Sequence, residues 1–360
     1  MTNRIWFIFL AAASAWSAPF DLGDALETLR EEHHLPGLAA AVVEEGDVIA
    51  QGVCGLRRVE RDTPVEIADR WHIGSCTKSM TATLVGVMVD QGLLRWDMTV
   101  AEALPELAPE MRPAWKHVTI DHLLRHLAGT PGVKKPDSSF TGAPRTQRAE
   151  FAKLLVHREP LHEAGRIFEY SNDGYGLLGA ILDEASGITY EELLDGYLFK
   201  PLGLGSAGLG PPAIGDAEGQ PWGHRADTKG WHSVEPSSEI GFRPAHRPAG
   251  CVHLSIGDFA HYAAWVATNE PRILSDGTFA HLQTPPEGGS YAAGIWQTEV
   301  PGTTEPAMAH TGHMSGFSAV FYAGKKHSVV VAINTGGGGR EWIGDVIAEA
   351  AVKAALNVKH

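Results

Sequence analysis

The chain has 360 residues, of which 44% are hydrophobic and 20% are charged. This composition is typical of a globular protein with one large core or two smaller ones. The formal net charge of -14 argues against nucleic acid or an anionic membrane as a partner, because both favour basic patches.

The first residues predict an export signal. Arg4 precedes an apolar run at 5–13, and small residues then offer cleavage sites near 15–18. The run is too short to span a bilayer, and no later stretch is long enough. Residues 1–18 are therefore interpreted as the signal peptide of a secreted or periplasmic protein without a stable membrane anchor.

The three cysteines, Cys54, Cys76 and Cys251, show no C-x-x-C spacing. They indicate neither a disulfide framework nor a cysteine-only zinc site, although one Cys54–Cys251 bridge remains open. Cys76 lies in an apolar helical stretch, where a cysteine is more often a small core residue than a nucleophile.

The first elements after the signal are a helix and a hairpin. The pattern predicts a helix at 24–32, then strands at 37–43 and 48–53. The segment 45–47, Glu-Gly-Asp, supplies the turn between these strands.

Helical patterns dominate from 77 to 200, including a helix at 175–185 that ends at Gly187. The stretch 203–250 is rich in glycine and proline and has little periodicity. A loop of this length is often the wall of a binding cleft, but a simple surface excursion is an equal alternative.

Strand patterns return at 293–299, 315–322 and 328–334, followed by a helix at 341–356. Two early strands and three late ones predict a five-stranded antiparallel sheet of the α+β type, flanked by helices. The helical middle of the chain predicts an inserted all-helical lobe.

The same pattern predicts the domain boundaries. Residues 19–75 and 255–360 form the sheet-and-helix domain, and residues 76–254 form the mainly helical domain, with the long loop at 203–250. We expect the functional site in the crevice between them.

A serine and a lysine separated by three residues are the first candidate site residues. Ser75 and Lys78 lie one helical turn apart, before the apolar helix predicted at 80–89. A serine hydroxyl needs a neighbouring base, and a lysine in a partly dry pocket can serve as one. Taken alone, the pair is also compatible with an ordinary helix start capped by serine.

Tyr170 and Asn172 form a second candidate pair in a turn-like stretch before a helix. A phenol near the Lys78 ammonium would have its phenolate favoured, so Tyr170 is a candidate acid or base. Asn172 is expected to hold Lys78 or to bind the substrate amide.

A third group of candidates, His310, Thr311 and Gly312, lies directly before a predicted strand and is expected to bind substrate. Gly312 permits close approach of a substrate backbone, and Thr311 offers a hydroxyl. The amide of His313, together with the amide of Ser75 at a helix start, would supply the two donors that acyl transfer needs.

In this order, Ser-x-x-Lys, Tyr-x-Asn and His-Thr-Gly resemble the motifs of the serine β-lactamases and penicillin-binding enzymes. The pattern looks most like class C β-lactamases, D-alanyl-D-alanine carboxypeptidases with a His-Thr-Gly triad, and family VIII esterases. Other segments look like family landmarks, in the family order: 71–75, 122–132, 168–175, 201–204 and 248–250. The resemblance covers about 22–351.

The resemblance implies that Ser75 is acylated and that Lys78 and Tyr170 move the proton. It further implies that Asn172 binds substrate and that the amides of Ser75 and His313 form the oxyanion hole. Water would then hydrolyse the acyl-enzyme, and neither a metal nor a cofactor is implied.

Two patterns invite other interpretations. His122 and His126 have the spacing of zinc-binding helices, but Leu123 stands where a zincin has its glutamate. The glycines at 336–339 lack the Gly-Lys-Ser/Thr ending of a phosphate loop. Arg340, which follows them, is instead a candidate for binding a substrate carboxylate.

The acyl group depends on His310, because class C β-lactamases usually carry a lysine there. A neutral histidine favours uncharged ester substrates, with Arg340 or Arg247 as the candidate cations for a carboxylate. The sequence thus favours a serine hydrolase with carboxylesterase-like activity on small molecules. β-Lactamase, D-peptidase and a penicillin-binding receptor without turnover are the alternatives.

Overall fold

The computed structural model describes residues 18–133, 140–237, 243–335 and 343–357. Its strands are β1 Phe20–Asp21, β2 Gly37–Glu44, β3 Asp47–Gly55, β4 Arg70–His72, β5 Gly208–Leu209, β6 Gly223–Asp227, β7 Gly230–Val234, β8 Val252–Ser255, β9 Trp296–Glu299, β10 Pro306–Met314, β11 Phe317–Gly324 and β12 His327–Ile333.

The α-helices of the described residues are α1 Gly23–Glu32, α2 Thr77–Asp90, α3 Val100–Ala103, α4 Ile120–Leu124, α5 Pro144–Val156, α6 Asn172–Ser186, α7 Tyr190–Leu194, α8 Arg247–Gly250, α9 Ile256–Thr268, α10 Asp276–Gln283 and α11 Ile343–Asn357. Short 3₁₀ helices lie at Gly74–Cys76, Pro113–His117 and Pro244–His246, and a π-helical turn lies at Asp195–Phe199. No described helix is both long enough and apolar enough to cross a bilayer.

The main sheet has seven strands in the order β1-β3-β2-β12-β11-β10-β9. All neighbouring pairs are antiparallel except β1 with β3. The mixed α/β class is confirmed, but the expected number of five strands is wrong. The sequence pattern does not predict β1, which has two residues, or β10.

Strand β10 was missed because its own residues have weak strand character. Pro306 and Gly312 disfavour a strand, and the alternation of buried positions changes phase between Ala309 and His310. Pairing overrides this preference, since Met314 lies opposite Phe317 and leaves a two-residue turn at Ser315 and Gly316. Both turn residues have positive φ, as tight hairpin turns require.

The central strands are buried on both faces, which explains their continuous apolar sequence. On one face, Ala39, Ala41, Val330 and Ala332 join the large core that contains α2 and α9. The opposite face packs against α1 and α11 in a second core. The sheet is thus the middle layer of the fold.

Helix α2 has no solvent-exposed face between Thr77 and Met88, because all of these residues are buried. It packs against α6, α8 and α10. The rigid element that the sequence predicted to hold the serine and lysine is therefore present. The division of the chain into two domains stays a prediction.

The glycine-rich stretch 203–250 has structure of its own. It contains the short strand β5, and β6 and β7 form an antiparallel hairpin. The 3₁₀ turn at Pro244–His246 and α8 then lead to β8. Whether this stretch closes over the site is a prediction that stays open.

Candidate active site

Ser75 lies in the 3₁₀ turn that leads into α2, directly against strand β10. Two glycines permit this contact. A Cβ atom at Gly312 would lie 1.9 Å from Ile73 O, and a Cβ atom at Gly74, whose φ is +50°, would lie 2.5 Å from His313 N. Backbone thus meets backbone beside the serine, and the close approach predicted for Gly312 is made by the protein itself.

Lys78 is fully buried and its amine has three acceptors. Nζ lies 2.9 Å from Ser75 Oγ, 2.8 Å from Asn172 Oδ1 and 2.7 Å from the Ala249 carbonyl oxygen. Burial removes water from the ammonium and lowers the pKa of Lys78 to about 7. A substantial fraction of the amine is therefore neutral at neutral pH.

The neutral amine of Lys78 has two N–H groups and one lone pair. The Ala249 carbonyl and the Asn172 side-chain oxygen accept hydrogen bonds but cannot donate them. The two N–H groups therefore stay with these oxygens, and the lone pair remains for Ser75 Oγ. This geometry prepares Lys78 to accept the serine proton.

Tyr170 and Asn172 flank Ser171, which caps α6 by accepting a hydrogen bond from the Gly174 amide at 3.1 Å. Asn172 is thus the first residue of the helix, earlier than the predicted start. Lys78 Nζ lies 4.8 Å from the centroid of the Tyr170 ring.

The Tyr170 hydroxyl interacts with the Ser75 side chain. Burial of the hydroxyl raises the pKa of Tyr170 to about 12, although this interaction with Ser75 lowers it. The expected stabilisation of a phenolate by Lys78 is therefore absent. Tyr170 is protonated at neutral pH and is better suited to donate a proton than to accept one.

Ser75, Tyr170 and Asn172 line an open cleft of about 590 Å³. Its other walls come from the segments around Thr130, Leu161 and Met314. The cleft exposes both polar and apolar surface, and it is large enough for a small organic substrate.

The three residues of the His-Thr-Gly motif on β10, His310 to Gly312, do not face the cleft together. His313 lines the cleft, but His310 lies outside the lining and is only 3% exposed. Burial and the nearby Lys78 charge lower the pKa of His310 to about 3, so its ring is neutral. Thr311 is exposed, and Gly312 is buried against the turn that carries Ser75.

Of the two arginines proposed for a substrate carboxylate, only Arg247 belongs to the described residues, and it does not line the cleft. Arg340 lies outside the described residues. Arg247 donates to Glu191 at 2.7 Å, and Glu191 also binds the buried Arg148, which is paired with Asp183. Arg247 thus belongs to a structural ion-pair network.

Two further groups of the site, Arg243 and the Ala249 carbonyl, were not predicted from the sequence. Arg243 lines the cleft, and partial burial lowers the pKa of its guanidinium. It lies in the glycine-rich stretch, which has no periodic signal. Segment 248–250 resembles a family landmark, but the role of a backbone carbonyl cannot be predicted from the identity of the side chain.

His122 and His126 take different structural roles. His122 Nδ1 lies 3.2 Å from the Thr119 amide, which places it in the cap of α4. His126 Nε2 lies 3.2 Å from the Tyr291 hydroxyl. All three cysteines are free, so the Cys54–Cys251 bridge is not formed.

The chain is similar in sequence to known proteins. Penicillin-binding protein 4 of Amycolatopsis lactamdurans is 35% identical over 52% of this chain and 49% of its own length. The chain spans about half the length of the curated relatives it matches.

Two solved structures have the same fold. The octameric penicillin-binding protein homologue from Pyrococcus abyssi superimposes with a TM-score of 0.75 and 24% identity, covering 93% of this chain and 76% of that one. The D-amino acid amidase from Ochrobactrum anthropi SV3 has a TM-score of 0.73 and 20% identity, covering 93% and 98%. The β-lactamase family model matches residues 22–355, and the chain therefore belongs to the β-lactamase family.

Proposed function

We propose that the protein is a serine hydrolase that acts through an acyl-enzyme on small ester or amide substrates, with carboxylesterase-like activity favoured. The observation that carries this proposal is the buried Lys78 amine, whose lone pair faces Ser75 Oγ. A neutral amine in contact with a serine hydroxyl is the combination that nucleophilic catalysis needs.

In the first step, Ser75 Oγ attacks the substrate carbonyl carbon and its proton passes to Lys78 Nζ. The carbonyl oxygen becomes an oxyanion, for which the amides of Ser75 and His313 are the proposed donors. Their close approach through Gly74 and Gly312 supports this assignment. Asn172 holds the lysine and contacts the substrate.

In the second step, the carbon–oxygen or carbon–nitrogen bond to the leaving group breaks. Tyr170 gives its proton to the departing atom and regains one from the Lys78 ammonium. Water then attacks the acyl carbon, its proton returns through the same groups, and Ser75 is released. A Tyr170 hydroxyl with a raised pKa suits the donor role.

The preference for esters follows from the burial of His310 on β10. His310 is neutral and out of the cleft, so it does not provide a cation for a substrate carboxylate. An uncharged ester needs no such cation.

A second candidate function is β-lactamase or D-peptidase activity, and the position of Arg243 favours it. A guanidinium on the cleft wall suits a carboxylate such as that of a β-lactam or a D-alanyl peptide. The structural likeness to a D-amino acid amidase is compatible with amide substrates.

Turnover assays with para-nitrophenyl acetate, nitrocefin and a D-alanyl dipeptide, beside labelling with a fluorescent penicillin, test these functions. We expect turnover of the ester by the wild type and none by Ser75→Ala. Stable penicillin labelling without turnover of any substrate would instead identify a penicillin-binding receptor.

Export to the periplasm or the exterior is part of the proposal. It rests on Arg4 and the apolar run at 5–13, which lie outside the described residues. N-terminal sequencing of the mature protein checks it, with a new N-terminus expected near 15–18.

A further inference from the structure

A continuous series of hydrogen bonds lies behind the proposed catalytic tyrosine. The Ser171 amide donates to His126 Nδ1 at 3.1 Å, and His126 Nε2 lies 3.2 Å from the Tyr291 hydroxyl. That hydroxyl lies 3.4 Å from His310 Nε2, and His310 Nδ1 lies 2.5 Å from the Thr311 carbonyl oxygen. We call His126, Tyr291 and His310 the His–Tyr–His bridge.

The two ends of the bridge fix the direction of every bond in it. An amide only donates, so His126 Nδ1 carries the lone pair and its Nε2 carries the hydrogen. A carbonyl only accepts, so His310 carries its hydrogen on Nδ1 and accepts at Nε2. His126 therefore donates to Tyr291, and the Tyr291 hydroxyl donates to His310.

The surroundings keep the bridge uncharged. His126 and His310 are 1% and 3% exposed, and Tyr291 is 2% exposed. Burial, with the nearby Lys78 charge, lowers the pKa of His126 to about 2 and that of His310 to about 3. The Tyr175 hydroxyl also interacts with Tyr291, but it donates its own hydrogen to the Leu124 carbonyl oxygen at 2.8 Å. It can therefore compete with His310 only as an acceptor, and the imidazole nitrogen is the stronger acceptor of the two.

The bridge joins four separate segments of the fold. His126 follows α4, and Ser171 caps α6 next to Tyr170. Tyr291 precedes β9, and His310 belongs to β10. The bridge therefore connects the helical wall of the cleft with the strand that supplies the proposed oxyanion amide.

Tyr170 lies directly on the bridge. Its ring centroid is 4.3 Å from that of His126 and 6.3 Å from that of His310. Tyr170 is 41% exposed, so solvent and substrate reach one side of it while the bridge supports the other.

Backbone strain at His126 points to the same role. Its φ is +57°, a conformation that residues other than glycine seldom adopt. Such strain persists where surrounding contacts over-determine it, and it clusters at functional sites. At His126 the residue with this backbone conformation also has a ring that contacts both the Ser171 amide and Tyr291.

We propose that the His–Tyr–His bridge positions the catalytic groups. It holds the Tyr170 hydroxyl and strand β10 in place relative to Ser75 without touching the substrate. The proposal rests on the serine hydrolase function proposed above. His310, first considered a substrate ligand, is thereby assigned as a positioning residue together with His126 and Tyr291.

Tyr291→Phe is the direct test, because it keeps the ring and removes the hydroxyl that links both histidines. We expect kcat for para-nitrophenyl acetate to fall about tenfold or more, with KM within about twofold of the wild type. Tyr262→Phe is the matched control, since it removes another fully buried hydroxyl, bonded to Ser79, outside the bridge. We expect the control to lose stability but keep kcat.

Substitutions at His310 separate the hydrogen bond from packing. His310→Gln retains an acceptor for the Tyr291 hydroxyl and is expected to retain most of kcat, whereas His310→Met is expected to match Tyr291→Phe. The double variant of His310→Met and Tyr291→Phe should be no worse than Tyr291→Phe alone, because Tyr291→Phe already removes the bond between Tyr291 and His310. Equal kcat in Tyr291→Phe and Tyr262→Phe, or raised KM with normal kcat, would overturn the proposal.

Nitrogen NMR of ¹⁵N-histidine-labelled protein tests the bridge without any activity. We expect a neutral His126 with its hydrogen on Nε2 and a neutral His310 with its hydrogen on Nδ1, down to about pH 5. Reversed tautomers, or an imidazolium at neutral pH, would contradict the bridge. An inactive wild type with the expected tautomers would refute the hydrolase function alone.

Discussion

Lys78 Nζ lies 2.9 Å from Ser75 Oγ, and the lysine side chain is fully buried. The amine loses hydration but gains only neutral oxygen partners, Asn172 Oδ1 and the Ala249 carbonyl. This explains both its lowered pKa and its orientation toward the serine, and most of the predictions below follow from it.

Replacing Lys78 tests whether its lone pair is essential. Lys78→Arg keeps a buried donor but its guanidinium cannot accept a proton, so kcat/KM for para-nitrophenyl acetate should fall about a thousandfold. Lys78→Met should be equally inactive. An arginine variant with activity near the wild type would exclude Lys78 as the base.

The acylation rate should depend on pH through the same amine. Because the base must be neutral and the pKa of Lys78 is about 7, the rate should rise with pH below about 7 and level off above it. Stopped-flow acylation at saturating ester measures this profile. A rate that does not change across this range would contradict the assignment.

The free energy of unfolding should also depend on pH through Lys78. The pKa of Lys78 is about 7 in the folded state and near 10.5 in the unfolded state, so the unfolded chain binds the extra proton between these values. Below about pH 7 the buried Lys78 ammonium therefore lowers the free energy of unfolding by its full amount. Between about pH 7 and pH 10 the free energy of unfolding rises by at most about 1.4 kcal/mol per pH unit. Urea unfolding should show this slope in the wild type, reduced in Lys78→Met.

Tyr170→Phe should lower the acylation rate by about a hundredfold. The loss should be larger for alkyl esters than for para-nitrophenyl esters, because a poor leaving group depends more on a proton donor. A series of esters with different leaving groups measures this trend. An equal loss across the series would argue against proton donation to the leaving group.

Arg243→Gln separates the two candidate substrate classes. If Arg243 binds a carboxylate, KM for nitrocefin or a D-alanyl dipeptide should rise about tenfold or more, while KM for para-nitrophenyl acetate stays unchanged. Arg272→Gln, at an exposed pair with Asp276, is the control. If Arg243→Gln leaves the KM of every substrate at its wild-type value, Arg243 does not bind substrate.

Gly312→Ala tests the contact between β10 and the serine turn. Its Cβ would lie 1.9 Å from Ile73 O, so we expect a loss of about 2 kcal/mol or more of stability and most of the activity. Gly277→Ala in α10 has no atom within 4 Å of the new Cβ and should be neutral or slightly stabilising. Urea unfolding and ester turnover compare the two variants.

The elements that the sequence predicted well have strong local signals. The hairpin of β2 and β3 has apolar strands around a glycine turn, and α6 ends at Gly187 with φ +76°, as expected. Ser75 and Lys78 were found because one helical turn places them together.

What the sequence could not predict depends on long-range contacts. Strand β10 forms through pairing rather than propensity, and the Lys78 carbonyl partner at Ala249 has no side-chain signature. The raised pKa of Tyr170 reverses the expectation from charge alone, because burial of the hydroxyl outweighs its interaction with Ser75. The family resemblance identified the motifs but not these physical reasons.

The strand order has a consequence for biosynthesis. β12, the last strand along the described chain, lies in the middle of the sheet between β2 and β11. A ribosome therefore completes the segment around Ser75 long before the strand that joins both halves of the sheet exists. The edges of β2 and β11 that β12 covers stay unpaired until that strand has been made, and unpaired strand edges favour aggregation.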